Sequence, residues 1–238
     1  MSEFSLSEKE FKEIWHYVQF YLTYKNVILG HRDYQLRYAF FKFGSKTASV
    51  GKWQDESFWT DFDKAYKFIE DNNVIAISQT LLKNEIVLEP EGNYEPDEQI
   101  KKSTLVTKFL NVRLEVPCIL VFSGNKSFHI HLFFNQPLTD EEKRAIKEKL
   151  EIYTLTKFDL HGFVMNHVWR LPFSYHPETK KRAELLIPPY IKNSQFLDYY
   201  VKLGTEGLSQ IETIAFAKML EIDKNNFLAK LGINLNKK

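Results

Sequence analysis

The chain holds a single cysteine, Cys118, in 238 residues. That excludes an internal disulfide and any zinc knuckle built on several cysteines, so no zinc is expected. No apolar run approaches the length of a membrane-spanning helix. The opening MSEFSLSEKE is charged where a secretion signal would be apolar. The expected location is intracellular, cytoplasmic or nucleoid-associated, away from membranes. Net charge is also nearly absent, at +1. This argues against a protein that coats nucleic acid by charge alone, yet leaves room for an enzyme with a local basic groove. Internal repeats and low-complexity linkers are lacking as well.

Aromatic residues, by contrast, are plentiful: 20 Phe, 12 Tyr and 4 Trp. They supply surface for a proper core, and the length suits one large domain, or one domain with a small appendage. The charges are unevenly spread. Glu85, Glu89, Glu91, Glu95, Asp97 and Glu98 fall together with no basic residue among them. Arg170, Lys180, Lys181, Arg182 and Lys192 form a later basic stretch. One segment is suited to cations and the other to phosphates; two solvated faces of opposite sign are the plainer reading.

Ser7 and Glu10 fit a capping box, with Leu6 and Phe11 as its hydrophobic staple. Phe11, Ile14, Trp15, Val18 and Leu22 follow at helical spacing. Tyr38 to Phe43 reads as extended. Phe58, Phe62, Ala65, Tyr66 and Ile69 mark a second amphipathic helix, ended by Asp71-Asn72-Asn73. Strands are expected at Val74–Ile77, Glu85–Glu89, Cys118–Phe122 and Phe128–Phe134, the last two joined by the turn Ser-Gly-Asn-Lys-Ser. A capping box at Thr139 and Glu142 opens a charged helix to about Glu151. Short extended pieces are expected around Phe163 and Trp169. From Gly207 the chain is helical, with Ile211, Ile214, Ala215, Met219 and Leu220 as the apolar stripe. The fold class is α+β.

Three segments carry candidate chemistry. In NEIVLEPEGN, strand alternation points Glu89 and Glu91 to one side while Ile86 and Leu88 anchor the other. Adjacent carboxylates suit a hard cation such as Mg²⁺ or Mn²⁺. Taken alone, the segment reads first as a solvated Glu-Pro-Glu turn. In ILVFSGNKSFHIHLFF, His129 and His131 lie opposite the apolar face of their strand. The turn before them offers backbone N–H groups, hydroxyls and Lys126 to a triphosphate. An ordinary hairpin with a surface histidine is the plain alternative. In DLHGFVMNHVWRLPFSYHPETK, Asp159 precedes Arg170 by about ten residues. Ser174, His176, Thr179 and Lys180 follow. A lone aspartate is usually a cap, but an arginine among aromatic and apolar neighbours needs an anionic partner.

In this order, the three segments resemble the motifs of the archaeo-eukaryotic primase superfamily, over roughly residues 74 to 182. LEPE stands where that family has its acidic hhDhD motif. SGNKSFHIH is similar to SGxxGxHh, and the third segment resembles the aspartate motif followed by RLPxSLHxKTG. Upstream, HRDYQLRYAFF is weakly similar to the family's arginine-containing aromatic strand. The resemblance implies an RRM-like sheet unit packed against a smaller α/β unit, with residues 1–206 as catalytic core and 207–238 as a helical extension. It implies two Mg²⁺ or Mn²⁺ ions on Glu89, Glu91 and Asp159. It further implies nucleotide contacts from Ser123, Lys126, Ser127, His129, Arg170, His176 and Lys180. The implied activity is primer synthesis or chain extension from NTPs or dNTPs on single-stranded DNA. A primase large subunit or a helicase would be a partner. The chain departs from the family in its glutamate pair, each side chain one methylene longer than aspartate, and in lacking a cysteine cluster. A non-catalytic accessory subunit that binds template or replication partners is the alternative.

Overall fold

The computed structural model describes residues 4–30, 34–47, 53–92, 95–164 and 167–234, leaving aside the side chain at 96. The beginning of HRDYQLRYAFF, residues 31–33, and Met165-Asn166 of the third segment lie outside the described residues. The capping box of Ser7 and Glu10 opens α1 (Glu8–Thr23), which continues as a π-helical turn over Tyr24–Ile28. β1 (Tyr38–Phe41), a 3₁₀ turn (Glu56–Thr60), α2 (Phe62–Asp71), β2 (Ala76–Thr80) and β3 (Glu85–Leu88) follow. Next come α3 (Pro96–Lys108), β4 (Ile119–Phe122), β5 (Phe128–Phe134) and α4 (Asp140–Thr154). The chain then makes a 3₁₀ turn (Leu160–Phe163), β6 (Val168–Arg170), β7 (Glu184–Leu186), α5 (Ser194–Thr205), α6 (Gln210–Leu220), β8 (Glu221–Ile222) and α7 (Lys224–Lys230).

The strands make two sheets, so the α+β expectation holds. One is antiparallel in the order β1-β2-β6; the other runs β3-β5-β4-β7, with β8 joining the end of β5 in parallel. Alternation along the second sheet divides the core. Ile86, Leu88, Ile130, Leu132 and Phe134 pack with Val106, Ile146 and Leu150 of the helices on one side. Ile119, Val121 and Phe133 turn the other way, into a cluster with Phe11, Ile14 and Tyr21 of α1 and Tyr38 and Phe40 of β1. Each fully buried large apolar side chain contributes about 1.5–3 kcal/mol. The two sheets are thus joined through this aromatic layer. The C-terminal helices enter both clusters, α6 through Phe216 and Ala217 and α7 through Phe227 and Leu228. Among the described residues, no helix is long and apolar enough to cross a membrane.

Several local expectations need correction. The strand expected at Val74–Ile77 lies at Ala76–Thr80, because Val74 N–H still bonds the Ile69 carbonyl of the preceding helix end. Its later residues Ser78, Gln79 and Thr80 are polar yet buried, which hides the strand from a hydrophobic pattern. Phe163 belongs to a 3₁₀ turn, not an extended piece. α6 buries Thr213, Phe216, Ala217 and Leu220, whereas Ile211 is 80% exposed, so the apolar stripe is rotated from the one expected. α3 and α5 were not foreseen: α3 reads PDEQIKKSTLVTK and shows no clean apolar face.

Candidate active cleft

Strand β3 ends at Leu88, but the chain pairs once more. Pro90 bridges Phe158 antiparallel, Asp159 N–H donates to the Glu89 carbonyl at 2.9 Å, and Glu91 N–H donates to the Lys157 carbonyl at 2.8 Å. Glu89 therefore lies directly across from Asp159 and Glu91 across from Lys157, while Phe158 turns into the core. Asp159 also caps the 3₁₀ turn, its Oδ1 accepting from His161 N–H at 2.7 Å and lying 2.7 Å from His161 Nδ1. The turn can sit on β3 only because residue 162 is glycine: a Cβ there would fall 1.8 Å from the Val87 carbonyl oxygen.

On the neighbouring strand, register aligns Leu88 with Ile130, so the next pair along is Glu89 and His129. The His129 Nε2 to Glu89 Oε2 distance is 3.9 Å. Beyond His129 the β4–β5 hairpin closes through Ser123 N–H to the Ser127 carbonyl, and Ser127 Oγ and Ser123 Oγ are 2.9 Å apart. From the other sheet, Arg170 is aligned with Ser78 and reaches across to the Ser123 carbonyl at 2.5 Å. Thr179 Oγ1 donates to the Gly124 carbonyl at 2.9 Å. Gly124 adopts φ +79°, and a Cβ there would meet the Lys181 carbonyl oxygen at 2.5 Å, so this crossing also depends on glycine.

The result is a cleft of about 480 Å³ between the sheets. Glu89, Glu91, Asp159, Ser123, Lys126, Ser127, His129, Arg170 and His176 all line it. Lys180, the remaining expected residue, does not: its ammonium lies 4.2 Å from the Phe43 ring centre and 5.2 Å from that of Phe4. The basic stretch is likewise no single phosphate patch, since Arg182 is paired with Glu13. In the acidic stretch, Glu85 is wholly buried, 2.7 Å from His131. Both histidines of His-x-His are buried, which corrects the surface-histidine alternative.

Electrostatics in the cleft are unusual. Burial, with the adjacent Asp159 charge, raises the Glu89 carboxyl above its ordinary range, although Ser127 and Arg170 oppose this. Burial lowers Arg170 to about 10. Burial also pulls His129 well below its usual value, helped by His131, Arg170 and His167. His167 and His176 are lowered as well, again chiefly by burial. His129 Nδ1 and Trp169 Nε1 are buried without a hydrogen-bond partner. These two rings meet edge-on with centres 4.6 Å apart.

Residues overlooked in the sequence include His167, Trp169 and Gln99, which line the same cleft. His167 and Trp169 lie within the third segment, where a buried aromatic beside Arg170 was the available signal. Gln99 had none, because α3 itself was not recognised; its Nε2 donates to the Pro90 and Gly92 carbonyls at 3.4 and 3.3 Å and props the glutamate turn from below.

Fit to a divalent cation can be judged from the donors. Among the described residues, no three His, Cys, Asp or Glu side chains are grouped to hold a metal. Glu89 and Asp159 face one another with like charge, and Glu91 stays exposed at the rim. Two facing carboxylates suit Mg²⁺, which commonly takes one or two such ligands and completes its shell with water and substrate phosphates.

No protein-family model matches the chain, and no curated protein matches it. Among solved structures it is similar to the primase-polymerase AEP domain of cyanophage S-2L. The identity is 14% and the TM-score 0.46, over 85% of this chain and 97% of that one. It is also similar to the polymerase domain of Mycobacterium tuberculosis ligase D, solved in complex with DNA. There the identity is 12% and the TM-score 0.45, over 90% of each chain. Likenesses this distant assign no residue a role.

Proposed function

We propose that this chain is a template-directed nucleotidyltransferase, a primase or primase-polymerase that joins NTPs or dNTPs on single-stranded DNA. One observation carries the reading: residues from three separate segments converge on a single cleft, carboxylates on one wall and Arg170, Lys126 and His176 among the others. Glu89 and Asp159, with Glu91 at the rim, are the groups to hold Mg²⁺ or Mn²⁺. Such a cation, when bound, neutralises phosphate charge and lowers the pKa of an attacking hydroxyl. Arg170 is held by burial and by the Ser123 carbonyl, so its guanidinium needs little reorganisation to meet a phosphate. The Ser123 and Ser127 hydroxyls lie beside it as neutral partners. His129, kept uncharged by burial, is suited to hydrogen bonding rather than to carrying charge. Trp169 packs on its ring and limits its rotation.

The test is primer synthesis on single-stranded DNA with Mg²⁺ and Mn²⁺ compared, against Glu89→Ala/Glu91→Ala. Metal-dependent products that fall at least about hundredfold in the double variant are expected. The labelled triphosphate incorporated reports sugar preference. A non-catalytic accessory role is the second reading, favoured by the lack of a three-ligand group among the described residues. It takes over if neither metal gives product while the folded protein still binds template.

A further inference from the structure

A second cavity, of about 400 Å³, lies behind the Asp159 turn. The same 3₁₀ turn serves both sites, with Asp159 facing the cleft and Leu160 lining the cavity. Its opposite wall is α4, which contributes Asp140, Lys143, Arg144 and Lys147. Lys147 follows Lys143 by four residues and Arg144 by three, which sets it beside both on one side of the helix. Lys147 is already engaged by Glu151 at 2.6 Å. Arg144 is exposed at the mouth.

Lys143 is the anomaly. The residue is 2% exposed, and its ammonium is buried with no hydrogen-bond partner. A lysine on a helix surface ordinarily extends its flexible stem until the charge reaches water. Keeping an ammonium buried and unpaired is costly, and burial pulls its pKa down despite the charges of Asp140 and Glu85. Nothing in the cavity can touch the ammonium where it lies, but a turn of the flexible stem would bring it to an oxyanion there, which would supply the missing acceptors and restore the charged form. Leu160 and Val164 are apolar but 65% and 44% exposed at this cavity, a surface that a sugar or base can cover by van der Waals contact.

We propose that this cavity is a second phosphate-binding site, in which Lys143 and Arg144 take a backbone phosphate of single-stranded nucleic acid while Leu160 and Val164 lie against the adjoining nucleoside. The choice of a nucleic-acid strand rests on the reading of the cleft; the choice of an anion rests on Lys143. A strand held here is gripped by the segment that carries Asp159.

The experiment is fluorescence anisotropy with a labelled single-stranded oligonucleotide, with no nucleotide added, across a salt series of about 50 to 200 mM. Lys143→Met and Arg144→Gln are compared with wild type and with Lys149→Gln, a change on the same helix outside the cavity. Each cavity variant is expected to weaken binding roughly fivefold and to flatten the slope of log Kobs against log salt by about 0.7, the signature of one lost single-strand phosphate contact. Arg144 is exposed, so its variant reports binding even if Lys143→Met is poorly folded. Affinity and slope in both cavity variants equal to those of Lys149→Gln would overturn the proposal. If wild type makes no primer yet the cavity variants weaken binding, the second site stands and the polymerase reading fails. If primers form and these variants bind like the control, the second site falls alone.

Discussion

Two histidine–carboxylate pairs stand side by side on strands β3 and β5, on the same face, and only one of them is closed. His131 Nδ1 lies 2.7 Å from Glu85, whose carboxylate also accepts from the Tyr21 hydroxyl at 2.7 Å and Leu82 N–H at 3.0 Å. Glu85 is entirely buried. Two residues from His131 and four from Glu85, His129 and Glu89 are 3.9 Å apart, beyond a hydrogen bond, and the Glu89 side chain is 22% exposed. The inner carboxylate has its lone pairs occupied by fixed donors and serves the fold. The outer one is destabilised as an anion and faces Asp159, a local energetic cost that a bound cation would relieve. Identical residue types on neighbouring positions thus differ by how many donors surround them.

Removing one carboxylate at a time sharpens this contrast. The largest effect is expected for Glu85→Ala, which orphans Leu82 N–H and leaves the Tyr21 hydroxyl and His131 only their long 3.4 Å contact with each other. A loss of about 3–5 kcal/mol in denaturant unfolding is expected. A loss near 1 kcal/mol would mean that the inner pair is not a structural knot. Glu89→Gln should behave in the opposite way: Tm unchanged or raised, because a buried charge is removed, with primer synthesis down at least about hundredfold. If its Tm fell as far as that of Glu85→Ala, the distinction between the pairs would collapse.

Arg170→Lys probes the bridge between the sheets. Lysine retains charge but not the planar fork, so a loss of about 2 kcal/mol in nucleotide affinity is expected by titration calorimetry. A smaller effect spreads over several histidines. His16, His129, His167 and His176 all have folded pKa values lowered from 6.5. Below that value the unfolded chain takes up protons that the native state refuses, so stability is full above about pH 6.5 and falls with acid. The slope approaches about 1.4 kcal/mol per pH unit for each proton refused. Thermal unfolding between pH 7.5 and 5.5 checks it: a flat Tm across that window would contradict the buried, neutral histidines.

Much of the fold was legible because local rules act over a few residues. Ser7 and Glu10, and Thr139 and Glu142, form the reciprocal caps that their spacing demands. Alternation correctly set Phe128, Ile130, Leu132 and Phe134 on the face opposite His129. α3 escaped notice because its charged and apolar residues follow no single face, and its stability comes from packing at Val106 and from Gln99 beneath the glutamate turn. The lining of the cleft was legible through the resemblance: nine of the ten residues it singles out share the cleft, and Lys180 does not.

The sequence by itself determined the elements whose partners are near in the chain, and the identity of the side chains available for phosphate and metal chemistry. Which carboxylates meet was decided only in three dimensions. Glu89 finds Asp159 through a pairing seventy residues long in the chain, at Pro90 and Phe158. Glu85, four positions away, finds Tyr21 and His131 and is enclosed. Burial and the count of donors around a charge are properties of packing, and no local pattern in the chain encodes them.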